Sequence, residues 1–393
     1  MAYGLGGLRE GLLEPVGIVT ARAPFSRLPL VAFEDLALGG HDVCLRDLSS
    51  SAEELVRHGI LSSDLVVASA AHASAFEAAI RPGTLDGPDV GLADLDPRSA
   101  LLSAKPPREQ LAALKADLEA FRAANALDRV VVVNLASTEA FRGERPEWQT
   151  LDAFERALDE DVAQPASVLY AYAALSGGSP YVNFTPSRGS SIPALRELAL
   201  ARGVPHCGND GKTGETLLKT VLAPMFTARA LRVLSWQGYN MLGNRDGEVL
   251  ADAAHRETKL RNKNEALRAI LGDDSVHTHV GIDFVPSLQD WKTAWDFVHF
   301  EGFLGARMSL QFTWSGSDSA LAAPLVVDLV RLADLAAEAG EGGEMSHTGC
   351  FFKAPLAGGT HDFHAQHAEL CAYADRHLAG SRGRSAGRER RGA

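Results

Sequence analysis

Residues 129–137 read RVVVVNLAS, and the four consecutive valines decide the fold class. A short run of β-branched residues without polar alternation predicts a strand covered on both faces, which is characteristic of a parallel sheet. Working outward, DLVVAS (64–69) is a second apolar run that reads as a buried strand. Between the two, PPREQLAALKADLEAFRAANA (106–126) has a strong helical period with proline at its start. Downstream the pattern predicts a helix near 148–177, a strand SPYVNFTP (179–186) and a helix near 191–202. Strand and helix in alternation imply βαβ units and hence an α/β fold with a doubly wound, Rossmann-like parallel sheet.

The texture changes after about residue 215. A helix over 215–228 leads to the apolar strand in ARALRVLSWQGYN, then a loop and a helix over 255–271. HTHVGIDFVP (277–286) and ARMSLQFTW (306–314) alternate with period 2, and a helix is expected between them near 288–299. Alternation means that the two faces of this sheet are differently covered, so a separate α+β unit is expected. SALAAPLVVDLVRLADLAAEA (319–339) is a long apolar helix suited to return to the first unit. The expected division is 1–215, 216–318 and 319–379, followed by a disordered basic tail over 380–393.

Bulk charge narrows the function classes. With 38 Lys+Arg against 50 Asp+Glu, the chain carries −12 and lacks the basic stripe of a nucleic-acid binder. No apolar stretch is long enough for a membrane span, and no secretory signal opens the chain. Cys44, Cys207, Cys350 and Cys371 are scattered without a CxxC pair, as expected of reduced thiols in a cytoplasmic protein. The cations are unevenly chosen: 30 are Arg and only eight are Lys, at positions 105, 115, 212, 219, 259, 263, 292 and 353. Lysine can lose its proton when desolvated, whereas arginine cannot. Lys259 and Lys263 share one face of the expected helix; Lys292 and Lys353 are flanked by bulky apolar residues. Lys105, Lys115 and Lys219 read as ordinary helix residues.

GNDGKTGET (208–216) is a polar, glycine-rich turn leading into a helix, suited to hold a phosphate on backbone amides and Lys212. It is not a P-loop, because the first glycine of that motif would fall on His206. SWQGYNMLGNRDG (235–247) clusters Asn240, Asn244, Arg245 and Asp246 in a loop that follows a strand. An ordinary structural turn explains either segment taken alone. His277 and His279 lie on one strand face without a convincing metal spacing, so the metal content is left open.

Taken together these segments resemble the inositol-3-phosphate synthase (myo-inositol-1-phosphate synthase) family, in its prokaryotic form. GGHD (39–42), VVVNLAST (131–138), SPYVNFTPS (179–187), GNDGKTGET, SWQGYNMLGNRDG, ETKLRNK (257–263), VPSLQDWK (285–292), SDSALAAPL (317–325) and FKAPL (352–356) follow the family's order. The resemblance implies NAD-dependent conversion of D-glucose 6-phosphate into 1D-myo-inositol 3-phosphate: oxidation at carbon 5, enolisation at carbon 6, attack on the carbon 1 aldehyde and reduction. It implies active-site Lys259, Lys263, Lys292, Lys353, Asp210 and Asp318. Lys212, Thr213, Gly214, Asn244 and Asp246 would face the substrate; Gly39, Gly40, Asp42, Ala136, Ser137, Thr138 and Asp210 would face NAD. It also implies a homotetramer assembled through the 277–314 strands and, in some members, a monovalent or divalent cation. A relative acting on another sugar phosphate and a non-catalytic sugar-phosphate binder are the alternatives. The family opens with a strand and a glycine-rich turn, whereas AYGLGGLREG (2–11) reads as part of the helix that follows them. The first sheet strand is therefore expected to be missing, which would leave two unpaired edges.

Overall fold

The computed structural model describes residues 1–45, 47–85, 95–139, 143–244, 267, 270–273 and 275–389. Among the described residues ten strands form three sheets: β1 (Gly40–Asp42), β2 (Ile80–Pro82), β3 (Val132–Asn134), β4 (Tyr181–Asn183), β5 (Pro205–Gly208), β6 (Arg232–Leu242), β7 (His277–Phe284), β8 (Trp291–Glu301), β9 (Arg307–Ser317) and β10 (Gly343–Glu344). The central sheet is parallel throughout, in the order β10-β5-β4-β3, with Val132 opposite Tyr181 and Tyr181 opposite His206. β1 and β2 form a separate parallel pair. Among the described residues β1, β2, β3 and β10 each pair along one edge only.

Both faces of the central sheet are covered, and β4 shows how. Tyr181 points into a core with Leu114, Phe154, Leu158 and Leu195 from the helices Pro107–Ala124, Leu151–Asp159 and Pro193–Arg202. The next residue, Val182, points the other way, into a core with Leu329, Leu332 and Phe352. That second layer is built by the helix Asp318–Glu338, which returns to the first sheet, and by the helix Phe363–Glu389.

Five local expectations need correction. DLVVAS is not a strand but the helix Ser63–Ala68: Ser62 caps it by accepting from the Leu65 amide, and Val67 is exposed. A side-chain cap outweighs a short apolar run. The valine strand β3 is half-buried rather than covered, because its outer edge has no partner among the described residues. The expected 148–177 helix is split into Leu151–Asp159 and Ala166–Ser176 by a left-handed Asp161 and by Pro165. The expected helix near 288–299 is strand β8: Ala294, Asp296 and Val298 alternate inward, and aromatic residues on the other face disguise the period. Finally, the helix Phe363–Glu389 runs through most of the expected tail. The expected helix over 255–271 lies mostly outside the described residues.

The second large sheet runs β7-β6-β8-β9, with β6 parallel to β7 and antiparallel to β8. Its inner face packs Trp236 and Val298 on Ala223 and Phe226 of the helix Glu215–Ala228. The helix Glu215–Ala228 thus follows directly from β5 and packs on the second sheet, so the residues just before it stand where both sheets can supply side chains.

Candidate active site

Those residues are Asp210–Gly214. Gly211 has no room for a side chain, since a Cβ there would come within 2.2 Å of the Phe184 ring. Segment 351–356 lies along this loop, although it is some 140 positions away in sequence. The Lys212 amide donates to Phe351 O (2.8 Å), the Lys353 amide to Asp210 O (2.7 Å) and the Asn209 amide to Ala354 O (2.8 Å). The ladder delivers the Lys353 ammonium to Asp210 Oδ1 at 2.7 Å, with both side chains buried. Asp210 is left-handed (φ 63°), and its Oδ2 is buried without a hydrogen-bond partner. Beneath it a chain of amides joins the sheet ends: Asn134 Nδ2 donates to Asn183 Oδ1 (3.1 Å), and Asn183 Nδ2 donates to Asn209 Oδ1 (2.8 Å).

At the other end of the loop, Thr213 Oγ1 donates to Asp318 Oδ1 (3.2 Å), and Lys292 Nζ, from β8, donates to Asp318 Oδ2 (3.0 Å). Asp318 opens the helix that Ser317 caps, and Ser317 Oγ donates to Asp290 (2.7 Å). Burial raises the Asp290 carboxyl above the usual carboxylate range. Two lysine–carboxylate pairs therefore flank one five-residue loop.

Lys212 sits between them. Its side chain is 2 % exposed, and its ammonium donates to a neutral acceptor, Gln366 Oε1, at 2.8 Å and lies over the Phe363 ring. Burial pushes it down to about 8, and the neighbouring Lys353 ammonium pushes the same way. A lysine so placed changes protonation close to neutral pH.

Lys219 is not an ordinary helix residue. It is 2 % exposed, with Nζ 2.5 Å from Glu215 Oε1 and 3.4 Å from Asp296 Oδ1. The Trp236 indole N–H donates to Asp296 Oδ1 at 2.7 Å. Glu215 and Lys219 stand four apart on a helix, a spacing that could have signalled the pair. Asp296 was hidden by the helical reading of β8.

Other positions lie elsewhere or outside the described residues. Lys259, Lys263, Arg245 and Asp246 fall outside them. Asn244 lies just beyond β6, half-buried, and Asn240 on β6 is fully buried with neither side-chain atom hydrogen-bonded. Asp42 is exposed at the carboxyl end of β1, with Gly39 pressed against the Phe121 ring. After β3, Ala136 and Ser137 are exposed and Thr138 is buried; the Ala136 amide donates to Asn134 Oδ1 (3.2 Å). Carboxyl ends of parallel strands are where such sheets hold dinucleotides, and the exposed Asp42 carboxylate suits a ribose hydroxyl. The donor set fits NAD. Among the described residues no group of three or more His, Cys, Asp or Glu could hold a metal ion, and no helix is long and apolar enough to cross a membrane.

Comparison with known proteins gives the family and the fold. Inositol-3-phosphate synthase 1 of Bacteroides thetaiotaomicron is 38 % identical over 268 residues, 66 % of this chain and 61 % of that protein. The chain thus spans about three fifths of the length of the curated relatives it matches. The fold matches a crystal structure of inositol-3-phosphate synthase from Caenorhabditis elegans (TM-score 0.82, 22 % identity, 95 % of this chain and 82 % of that one). It also matches a myo-inositol-1-phosphate synthase-related protein from Thermotoga maritima (TM-score 0.76, 24 % identity, 95 % of both chains). The family model for myo-inositol-1-phosphate synthase, an NAD-binding family, matches residues 18–374, and this chain belongs to that family.

Proposed function

We propose that the chain cyclises D-glucose 6-phosphate to 1D-myo-inositol 3-phosphate with bound NAD. The observation that carries this reading is the pair of lysine–carboxylate contacts, Lys353–Asp210 and Lys292–Asp318, at the two ends of the loop holding Lys212. NAD would be held by Gly39, Gly40, Asp42, Ala136, Ser137, Thr138 and Asp210; when bound it supplies a hydride acceptor at carbon 5 and returns the hydride later.

The remaining work falls to side chains. A sugar phosphate brings two negative charges, and its ring closure develops oxyanions at carbons 5 and 1 that fixed cations stabilise. Lys259 takes the carbon 5 oxygen and its proton. Lys263 and Lys353 hold the phosphate or the same oxygen. Lys292, oriented by Asp318, polarises the carbon 1 aldehyde and protonates its oxygen as the carbon 1–carbon 6 bond forms. Lys212, Thr213, Gly214, Asn244 and Asp246 line the substrate. Asp210, paired with Lys353, keeps that ammonium in place.

We further propose a homotetramer in the cytoplasm. The outer face of the second sheet carries a half-exposed aromatic row, Tyr239, Trp295 and Phe297, with ring centroids 5.9 and 6.4 Å apart, which suits burial against another copy. The four cysteines carry no disulfide, in keeping with a reducing compartment.

The test is incubation of the purified chain with glucose 6-phosphate and NAD+, followed by mass spectrometry. Formation of inositol phosphate without net NADH is the expected result. A cyclised product from a different sugar phosphate alone would assign a related cyclase. Binding of sugar phosphate without any product would assign a non-catalytic binder.

A further inference from the structure

The helix Glu215–Ala228 follows the candidate substrate loop, and its N-terminus carries a feature that works against an anionic ligand. Gly214 is the N-cap and offers no side chain, so the first turn is uncapped. Thr216, in that turn, has a buried hydroxyl without a hydrogen-bond partner, and Lys212 stands just before it. The amides of a turn without a side-chain cap, a hydroxyl without a partner among the described residues and a cation suit a phosphate group. Yet the first helical residue is Glu215. A carboxylate at that position ordinarily turns to the positive end of the helix, where it would occupy the place of the anion.

Here it does not. Glu215 is 2 % exposed, and Oε1 is turned down the helix to Lys219 Nζ at 2.5 Å. Lys219 is held in turn by Asp296 Oδ1 at 3.4 Å, and Asp296 by the Trp236 indole. The three charged groups meet over Gly238 of β6. A Cβ at 238 would lie 2.5 Å from Glu215 Oε1, 2.8 Å from Lys219 Nζ and 3.0 Å from Asp296 Oδ1. The absence of a side chain at Gly238 is what leaves space for the cluster.

We infer that Lys219, Asp296 and the Gly238 notch form a lock that holds the Glu215 carboxylate inside the protein and keeps the first turn of this helix open to the phosphate of the substrate. Lys219 and Asp296 are positioning residues here, acting through Glu215. The inference rests on the reading of Lys212–Gly214 as a substrate loop.

Calorimetric titration with inorganic phosphate, alongside KM for glucose 6-phosphate, tests the lock as a cycle. Glu215→Gln should leave both constants within about twofold, because an amide carries no competing charge. Lys219→Met should weaken both at least tenfold, with kcat affected less, and the double variant Glu215→Gln/Lys219→Met should return them to within about threefold of the parent. A merely structural lysine would show no such rescue. Since Lys219→Met leaves two carboxylates buried, Gly238→Ala gives a second route that keeps the lysine: it should weaken phosphate binding in the parent and leave it unchanged beside Glu215→Gln. A double variant as weak as Lys219→Met, a Gly238→Ala effect independent of residue 215, or no phosphate binding by the unaltered chain would overturn the lock. Phosphate binding in this pattern without turnover of glucose 6-phosphate would keep the lock and reject the proposed activity. Turnover without the pattern would do the reverse.

Discussion

Lys212 and Lys219 lie seven residues apart, equally buried, on either side of the first turn of one helix. They behave in opposite ways. Lys212 has neutral partners among the described residues, the Gln366 amide oxygen and the Phe363 ring, and burial lowers its ammonium to about 8. Burial alone would lower Lys219 too, but Glu215 and Asp296 outweigh it and carry the ammonium above the ordinary lysine value. Burial also raises the Asp296 carboxyl, to about 6, against the pull of Lys219. The partner, rather than the depth, decides whether a buried lysine is a fixed structural cation or a titratable group near neutrality.

The largest effect expected from this contrast is on Lys219. Lys219→Met removes the Lys219 cation from two buried carboxylates, so urea denaturation should show a loss of about 3–5 kcal/mol. A variant of unchanged stability would mean that the cluster is not held by charge. Lys212→Met is expected to do the opposite. It removes a desolvated charge that has no counter-ion among the described residues, so the denaturation midpoint should hold or rise. Formation of inositol phosphate should nevertheless fall by about 100-fold or more as the loop loses its cation. If Lys212→Met destabilises as much as Lys219→Met, the comparison fails.

Two buried histidines extend the point to pH. Burial lowers His206 to about 4, helped by Arg196, and lowers His347 to about 3, helped by Arg376 and His377. His347 is stacked on Tyr373 with ring centroids 3.6 Å apart. Both imidazoles are therefore held neutral in the folded chain, whereas the unfolded chain protonates them near 6.5. Stability from this source is present above pH 6.5 and is lost as pH falls, by about 2 kcal/mol for each histidine by pH 5. Denaturation at pH 7 and pH 5 measures this, and His206→Asn should flatten the dependence. The smallest effect is expected at Arg122, whose pairing with Glu119 lies in water: Arg122→Ala should leave stability unchanged within error.

How legible this was varies with how local the cause is. The helix Pro107–Ala124 and the loop-to-helix turn at 208–216 could be read directly, because proline, glycine and helical period act within a few residues. β8 could not: Trp291, Trp295 and Val298 fall at spacings that fit a helix, and only pairing with β6 and β9 makes them a strand. DLVVAS failed for the converse reason, since its valines are not placed against any second layer.

The sequence by itself determined the fold class, the choice of lysine over arginine at four candidate active-site positions, and the order of motifs that marks the family. Those are properties of residue type and spacing along the chain. Only the tertiary structure decided which lysine meets which carboxylate. Lys353 reaches Asp210 because segment 351–356 lies along the 208–212 loop, and Lys292 reaches Asp318 because β8 pairs with β9. It also moved Lys219 from an unremarkable helix residue into a buried cluster with a strand partner 77 positions away. Protonation follows from such contacts, because an ammonium responds to the charge within a few ångströms of it and not to its neighbours in sequence.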